Sequence, residues 1–533
     1  MSIDIGAGPL DTDAPLPSRP RRRPAPRLLY VLGVLAVAPA AIPLVELMVR
    51  VVGSPGTVAD TLGSGRTWEL VWRTVWFTTV VTFSAAILGV TTAWATTRTD
   101  LRGSRVWSVL VSLPLAIPSY VMVLVLLSLF GPRGLIAEAT EWTVPSASGF
   151  WPAWAALTLA TYPYVHLVVS ASMRRLSKSL EDAARGLGAS PMRVFFTITV
   201  PQLRPAIAAG ALLSALYTVS DFGAVSLARF DVFTRAIYTQ YQGRIDRTPA
   251  AVLAMVLILL ALVVVWGEQR SRGRAAYHTR SSGTPPRPDH LGRGARTGVY
   301  ALLSVVGLVG VVLPIVVLMS WVARSDIGIP WGSLAGSVSA SALAAALAAV
   351  LALPAVITGV RHPGTASTWL ERITYLVFAI PHITVGLAVV VFAANRLGPL
   401  YQSLALMVVV YASLFLAEAV GAGRAALLRV DPHLEEAARG LGRSPVRAFI
   451  EVTLPLIRRG IGVGAVLVFL STLKELPVTL LLRPTGFDTL AVDVWSATDQ
   501  LRYGQAAVPA LLLIAVSVVP IYLLVIRRRM QPL

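Results

Sequence analysis

Twelve apolar runs, each long enough to cross a lipid bilayer, constrain this 533-residue chain more than any other feature. A helix needs about 20 apolar residues to span roughly 30 Å of hydrocarbon. The runs lie near 28–52, 73–96, 105–130, 150–172, 203–225 and 249–267, and again near 298–323, 335–360, 373–397, 401–422, 460–482 and 506–527. Because hydrocarbon offers no partners to backbone N–H and C=O groups, runs of this length must satisfy their own as helices. The expected fold is an all-α polytopic membrane protein with about 12 transmembrane helices. Only 14% of residues are charged and the mean hydropathy is +0.70, as that reading requires.

The net charge of +19 would point to nucleic acid in a soluble protein, but here the basic residues follow the membrane, so no nucleic-acid partner is expected. With a cytoplasmic N-terminus, 33 of the 46 Lys and Arg fall on the cytoplasmic side and 12 on the other, while Lys474 lies within a span. The positive-inside rule therefore predicts a multi-pass protein of the cytoplasmic (inner) membrane, surrounded by lipid bilayer, with both termini cytoplasmic. Residues 1–27 are rich in Pro, Arg, Asp and Gly and read as a disordered basic arm. The first apolar run continues to Val52, past the length of a secretory h-region, so an uncleaved helix is expected. The absence of Cys excludes disulfides and thiolate metal sites.

The polar, basic segment 268–297 reads as a cytoplasmic linker between two units, 28–267 and 298–533, of six spans each. An even number of spans gives both units the same orientation. A gapless repeat supports this: Leu180–Ile207 laid on Leu434–Ile461 gives 16 identities in 28 positions. A weaker echo places "LPLAIPSYV" around Pro118 and "LVFAIPHIT" around Pro381 inside the third span of each half.

The repeated segments, 180–201 and 434–455, are polar loops with a helical pattern. Leu180, Ala183, Ala184 and Leu187 make one apolar stripe, with Glu181, Asp182 and Arg185 on the remaining surface. Gly188 is placed as a left-handed C-cap, and Ser190-Pro191 as the N-cap and first residue of a second short helix. That helix carries Val194, Phe195 and Ile198 inward until Pro201 interrupts the pattern. The second copy repeats the plan with Leu434, Glu435, Glu436, Ala437, Ala438, Leu441, Gly442, Ser444, Pro445 and Pro455. Amphipathic helices lying on lipid headgroups would need apolar and basic character, but not Ala-Ala, Gly and Ser-Pro at the same offsets in both copies. Small residues on the stripe permit close approach of another protein surface.

These loops resemble the EAA loop of the permease subunits of binding-protein-dependent ABC importers. The match falls on Glu436, Ala437, Ala438, Gly442, Val452, Leu454 and Pro455, and on Asp182, Ala183, Ala184, Gly188, Ile198, Val200 and Pro201. The resemblance implies two fused six-helix, MetI-like permease domains whose loops are coupling helices. It further implies two copies of a cytoplasmic ABC ATPase carrying ATP and Mg, and an extracytoplasmic solute-binding protein. The fused plan, with "SDFGAV" at Ser220 and "KELPVT" at Lys474, is similar to the ferric-iron-type permeases, while thiamine-type permeases share the plan. The chain itself binds no cofactor on this reading and is no enzyme: its two lysines, Lys178 and Lys474, lie outside any P-loop context. A 12-span secondary transporter is the competing reading, since two six-span halves around a central loop also describe that class.

Asp221, Lys474 and Glu475 sit within spans, where charge is costly. Asp221 aligns with Glu475 at the repeat offset, about 22 to 27 Å from the span starts at 1.5 Å per residue. These two carboxylates are candidates for an external gate on the solute path; the competing reading is structural pairing with Lys474. Pro118 and Pro381, with Tyr120 and His382 beside them, are candidates for helix breaks facing the path. A lone His382 gives no metal-ligand pattern, and any metal site is left unassigned. Hard-cation chemistry fits Asp221, Glu475 and Tyr120 without selecting iron.

Overall fold

A computed structural model describes residues 26–131, 134–140, 148–174, 176, 179–243, 246–272 and 290–525. Of the expected arm 1–27 only Pro26 and Arg27, and of the linker 268–297 only its two ends, fall among the described residues. Those ends are helical continuations of the flanking spans, to Arg272 and from Arg293.

The first half contains α1 (Arg27–Val52), α2 (Gly65–Arg98), α3 (Ser104–Leu110), α4 (Ser119–Phe130), α5 (Phe150–Met173), α6 (Ser179–Gly186) and α7 (Pro191–Ser220). It ends with α8 (Gly223–Leu227), α9 (Phe233–Gly243) and α10 (Thr248–Arg272). The second half repeats the series: α11 (Arg293–Ala323), α12 (Trp331–Arg361), α13 (Thr365–Ala379), α14 (His382–Arg396), α15 (Leu404–Leu414) and α16 (Leu416–Leu427). It closes with α17 (Pro432–Gly440), α18 (Pro445–Leu473), α19 (Pro477–Leu482), α20 (Leu490–Asp499) and α21 (Tyr503–Val525).

Among the described residues nine helices are long and apolar enough to cross a membrane, eleven if the bent pairs α13–α14 and α15–α16 each count as one. The run expected at 150–172 is also a helix, α5, whose apolarity is diluted by Tyr162, Pro163, Tyr164 and His166. The third and ninth spans break at Pro118 and Pro381, the two candidate positions, while the fifth, tenth and eleventh, expected as unbroken, are corrected to broken or bent ones. Residues preceding proline are pushed out of the helical region. Ile117 and Ile380 are accordingly extended, at ψ 120° and 135°, and the chain turns by 101° between α13 and α14. Pro118 and Pro381 then become the residues that open the next helix.

Pro201 and Pro455 do not interrupt their helices as expected. Each follows a π turn, Phe195–Thr199 or Phe449–Thr453, and the helix runs on as the span. Val200 N–H bonds back to Phe195 and Leu454 N–H to Phe449, one residue further than in an α-helix. A proline clashes with the carbonyl four residues back and gives no N–H. The widened turn before it removes that conflict.

The two halves pack into one another through their first spans. Helix α1 crosses to the second half: Gly33 lies against Leu370, Ser413 donates to the Ala36 carbonyl, and Arg396 pairs with Glu46 at 3.8 Å. In exchange, α11 crosses to the first half, where Gly307 meets Leu110, Gly310 meets Pro114, and the Tyr300 ring packs 5.9 Å from Trp107. The core between them is continuous through both halves.

Candidate functional site: duplicated loops and a broken-helix junction

The loop bend is built identically twice. Gly188 and Gly442 hold φ of +85° and +84°, which favours glycine strongly over any residue with a Cβ. Around them Gly188 N donates to Arg185 O (2.9 Å) and Ala189 N to Ala184 O (3.0 Å); Gly442 N donates to Arg439 O (2.9 Å) and Arg443 N to Ala438 O (3.1 Å). Both are Schellman closures of a helix end. Ser190 and Ser444 then accept from the N–H of Arg193 and Arg447, each at 3.4 Å, and Pro191 and Pro445 open the next helix.

This bend presents an apolar tip. Leu187 is 90% exposed and Leu441 85%, flanked by exposed Leu180 and Leu434 and by Met192 and Val446. Asp182, Ala183, Glu436 and Ala437 are exposed beside them, and Ala184 and Ala438 are half-buried. One expectation is corrected: Glu181 does not share the polar outer face but is buried, and Glu435 is half-buried. The i, i+4 spacing put both glutamates off the apolar stripe, but the bundle behind the loop supplies partners that spacing does not show.

The in-span candidates converge on one junction. Helix α7 ends at Ser220, and Asp221 leaves the helical region with ψ 130°. Its Oδ1 accepts from Ala224 N (2.9 Å) and Val225 N (3.4 Å), and its Oδ2 accepts from Ser119 Oγ at 2.5 Å. In the second half Glu475 Oε1 accepts from Val478 N (3.0 Å), and His382 Nδ1 donates to Oε2 at 2.7 Å. Each carboxylate therefore satisfies the open N–H groups of a short helix, α8 or α19, and ties it to the residue after the proline of the broken third span. The pairing with Lys474 is not what forms. Lys474 Nζ instead donates to the Leu115 carbonyl of the other half at 3.2 Å. Tyr120 packs beside Gly223, where an added Cβ would stand 2.9 Å from its ring, and Leu476 of the second half closes over the same glycine. Phe222 and Tyr238 continue the seam against Trp495, with ring centroids 6.2 and 5.7 Å apart.

Glu418, which the sequence reading passed over, lies next to this junction and accepts from Ser471 Oγ at 2.7 Å. The signal was present: an acid inside the tenth apolar run, as costly there as Asp221. Glu418 stands on α16 at one end of a cavity of about 1490 Å³, whose other lining residues include Tyr375, Ala422, Arg429, Asp431 and Arg459. From Glu418 to the end of α16 is about 14 Å at 1.5 Å per residue. The cavity thus leads from the junction to the residue that caps α17, the second-half loop helix. Among the described residues no three His, Cys, Asp or Glu side chains gather to hold a metal, and His382 is engaged by Glu475.

The chain is similar along nearly its whole length to the Fe(3+)-transport system permease protein FbpB 2 of Haemophilus influenzae, 31% identical over 94% of this chain and 98% of that one. The putrescine transport system permease protein PotI of Escherichia coli is 37% identical over 26% of this chain and 48% of its own. The molybdenum transport system permease protein ModB of Escherichia coli is 29% identical over 39% of this chain and 96% of its own. The secondary-transporter alternative gives way to these matches. Residues 85–269 and 350–530, one stretch from each half and each containing one loop and one capping carboxylate, both match the binding-protein-dependent transport system inner membrane component, and the chain belongs to that family.

Proposed function

We propose that this permease carries ferric iron inward in an ATP-driven importer, with a separate ATPase subunit seated on each loop and an external binding protein delivering the ion. The observation that carries the ATPase reading is the duplicated bend, whose leucine tips stand almost fully exposed among the described residues. Two equal sockets suit two copies of one motor. The cargo reading rests on the near-full-length similarity to the Haemophilus protein, against partial coverage for the putrescine and molybdenum permeases. The loops face the cytoplasm, as the distribution of basic residues predicts.

The junction is the gate. Asp221 and Glu475 hold α8 and α19 across the path, and the cavity below them is the inward vestibule. The carboxylates act on the path through the helices they cap.

The test is uptake of radioactive ferric iron into cells or proteoliposomes holding permease, ATPase and binding protein, alongside co-purification of the ATPase. Wild type should retain the ATPase and import iron. Gly188→Pro with Gly442→Pro, which cannot adopt positive φ, should insert normally, lose the ATPase and stop uptake. Import of another solute with no import of iron would overturn the cargo; ATPase retention by the double variant would overturn the socket.

A further inference from the structure

The two inward glutamates carry a device that the loop motif itself does not include. In the first half Arg98, the last residue of α2, reaches Glu181 Oε1 with Nη2 at 3.4 Å and the Leu176 carbonyl at 3.5 Å. Thr199, inside the π turn of α7, donates to the same Oε1 at 3.0 Å. In the second half Arg361, the last residue of α12, reaches Glu435 Oε1 at 3.4 Å and the Val430 carbonyl at 3.2 Å. Thr453, inside the π turn of α18, donates to that Oε1 at 2.5 Å. The partners correspond one to one across the repeat.

We propose that Arg98–Glu181–Thr199 and Arg361–Glu435–Thr453 are positioning joints that pass the displacement of each loop to the second span of its own half. The loop is continuous with the fifth span through α7 or α18, so motion reaches that helix through the backbone. No such continuity links it to α2 or α12. The glutamate is the point where loop helix, π turn and second-span terminus meet.

The burial argues for a role in geometry over a role in stability. Side-chain exposure is 2% and 5% for Arg98 and Glu181, and 13% and 17% for Arg361 and Glu435. Desolvating such a pair offsets most of its attraction, and apolar substitutes are often no less stable. The guanidiniums are also not saturated: among the described residues Nε and Nη1 of Arg98 and Nε of Arg361 make no hydrogen bond. With the 3.4 Å separations, this leaves each joint room for a second, tighter arrangement.

This inference rests on the reading of the loops as ATPase sockets. The test uses the complete importer in proteoliposomes, comparing basal ATP hydrolysis, hydrolysis stimulated by loaded binding protein, and uptake. Arg361→Gln is the first variant because that pair is the less buried. ATPase co-purification and basal hydrolysis should stay within about twofold of wild type, while stimulation and uptake fall about tenfold. Arg361→Glu combined with Glu435→Arg should recover at least about a third of uptake, which neither single change supports. Unchanged stimulation and uptake in Arg361→Gln would overturn the joint. So would parallel loss of basal and stimulated hydrolysis that the exchanged pair does not rescue, since that marks a merely structural contact. Wild type that fails to retain an ATPase would instead remove the socket reading on which the joint depends.

Discussion

At the scale of single residues, Asp221 separates two uses of a buried carboxylate. It accepts two backbone N–H groups and one hydroxyl. Asp221→Ala orphans all three donors, at roughly 1–3 kcal/mol for each that stays buried. Asp221→Asn keeps a carbonyl oxygen for the two N–H groups, and its amide can donate to Ser119. If the carboxylate works as a cap, the Asn variant should keep uptake within about twofold of wild type and lose less than half of what Ala loses in thermal midpoint. Thermal unfolding of the detergent-solubilised protein, read beside uptake, checks both. An Asn variant with native stability and no uptake would mean that the charge itself is needed on the path. The sequence made part of this legible. The repeat offset paired Asp221 with Glu475, and the proline echo paired the positions of Ser119 and His382, so both halves of each contact were marked. The contacts themselves were not, because periodicity cannot show that two apolar runs stop being helical at the same depth. Asp221 three residues before Ala224 did have the spacing of a helix cap, hidden by an apolar run that read straight through it.

At the scale of elements, prolines cause departures from the sequence pattern in two distinct ways. Where isoleucine precedes proline at 117–118 and 380–381 the helix breaks; where a π turn precedes it the helix continues. The same device recurs in α11, where the π turn Leu308–Val312 comes just before Pro314. Composition alone does not separate these outcomes, since each proline sits in an apolar context. The π turn bears on the proposed joint, because adding a residue to the turn changes the rotation of the helix about its axis, and Thr199 and Thr453 within it donate to the loop glutamates. Pro455→Ala removes the reason for the widened turn and lets α18 close as an α-helix, rotating Thr453 away from Glu435. Stability should hold or rise slightly, since alanine is the better helix former. Uptake should nevertheless fall severalfold, with ATPase retention unchanged. A Thr453→Val variant, which loses only the hydroxyl, should reproduce the uptake defect. If Pro455→Ala lowers uptake and Thr453→Val does not, the turn matters for another reason.

At the scale of the whole molecule the two halves exchange their first spans, and the apolar pattern of the sequence does not mark it. Six apolar runs per half establish how many helices there are but not which neighbours each one chooses, because lipid and protein interior are equally apolar. Small residues at the crossings are the only trace: Gly33 against Leu370, Gly307 against Leu110 and Gly310 against Pro114. The exchange makes a strong prediction about the linker. If α1 and α11 clamp the halves together, the covalent connection between Arg272 and Arg293 is dispensable. Residues 1–272 and 290–533 produced as two chains should therefore assemble, co-purify through a tag on either, and support uptake near the wild-type level. Gly310 then tests the cause. A Cβ there would stand 2.8 Å from the Pro114 ring, which cannot swing aside as the end of a leucine can. Gly310→Leu should leave the fused chain inserted and partly active, because the linker keeps the halves at high effective concentration. In the two-chain form, where only non-covalent contacts join them, the same change should sharply reduce co-purification. Two-chain assembly that tolerates Gly310→Leu would place the binding between halves in the Tyr120–Gly223–Leu476 seam and its Trp495 extension, leaving the crossed spans as passengers.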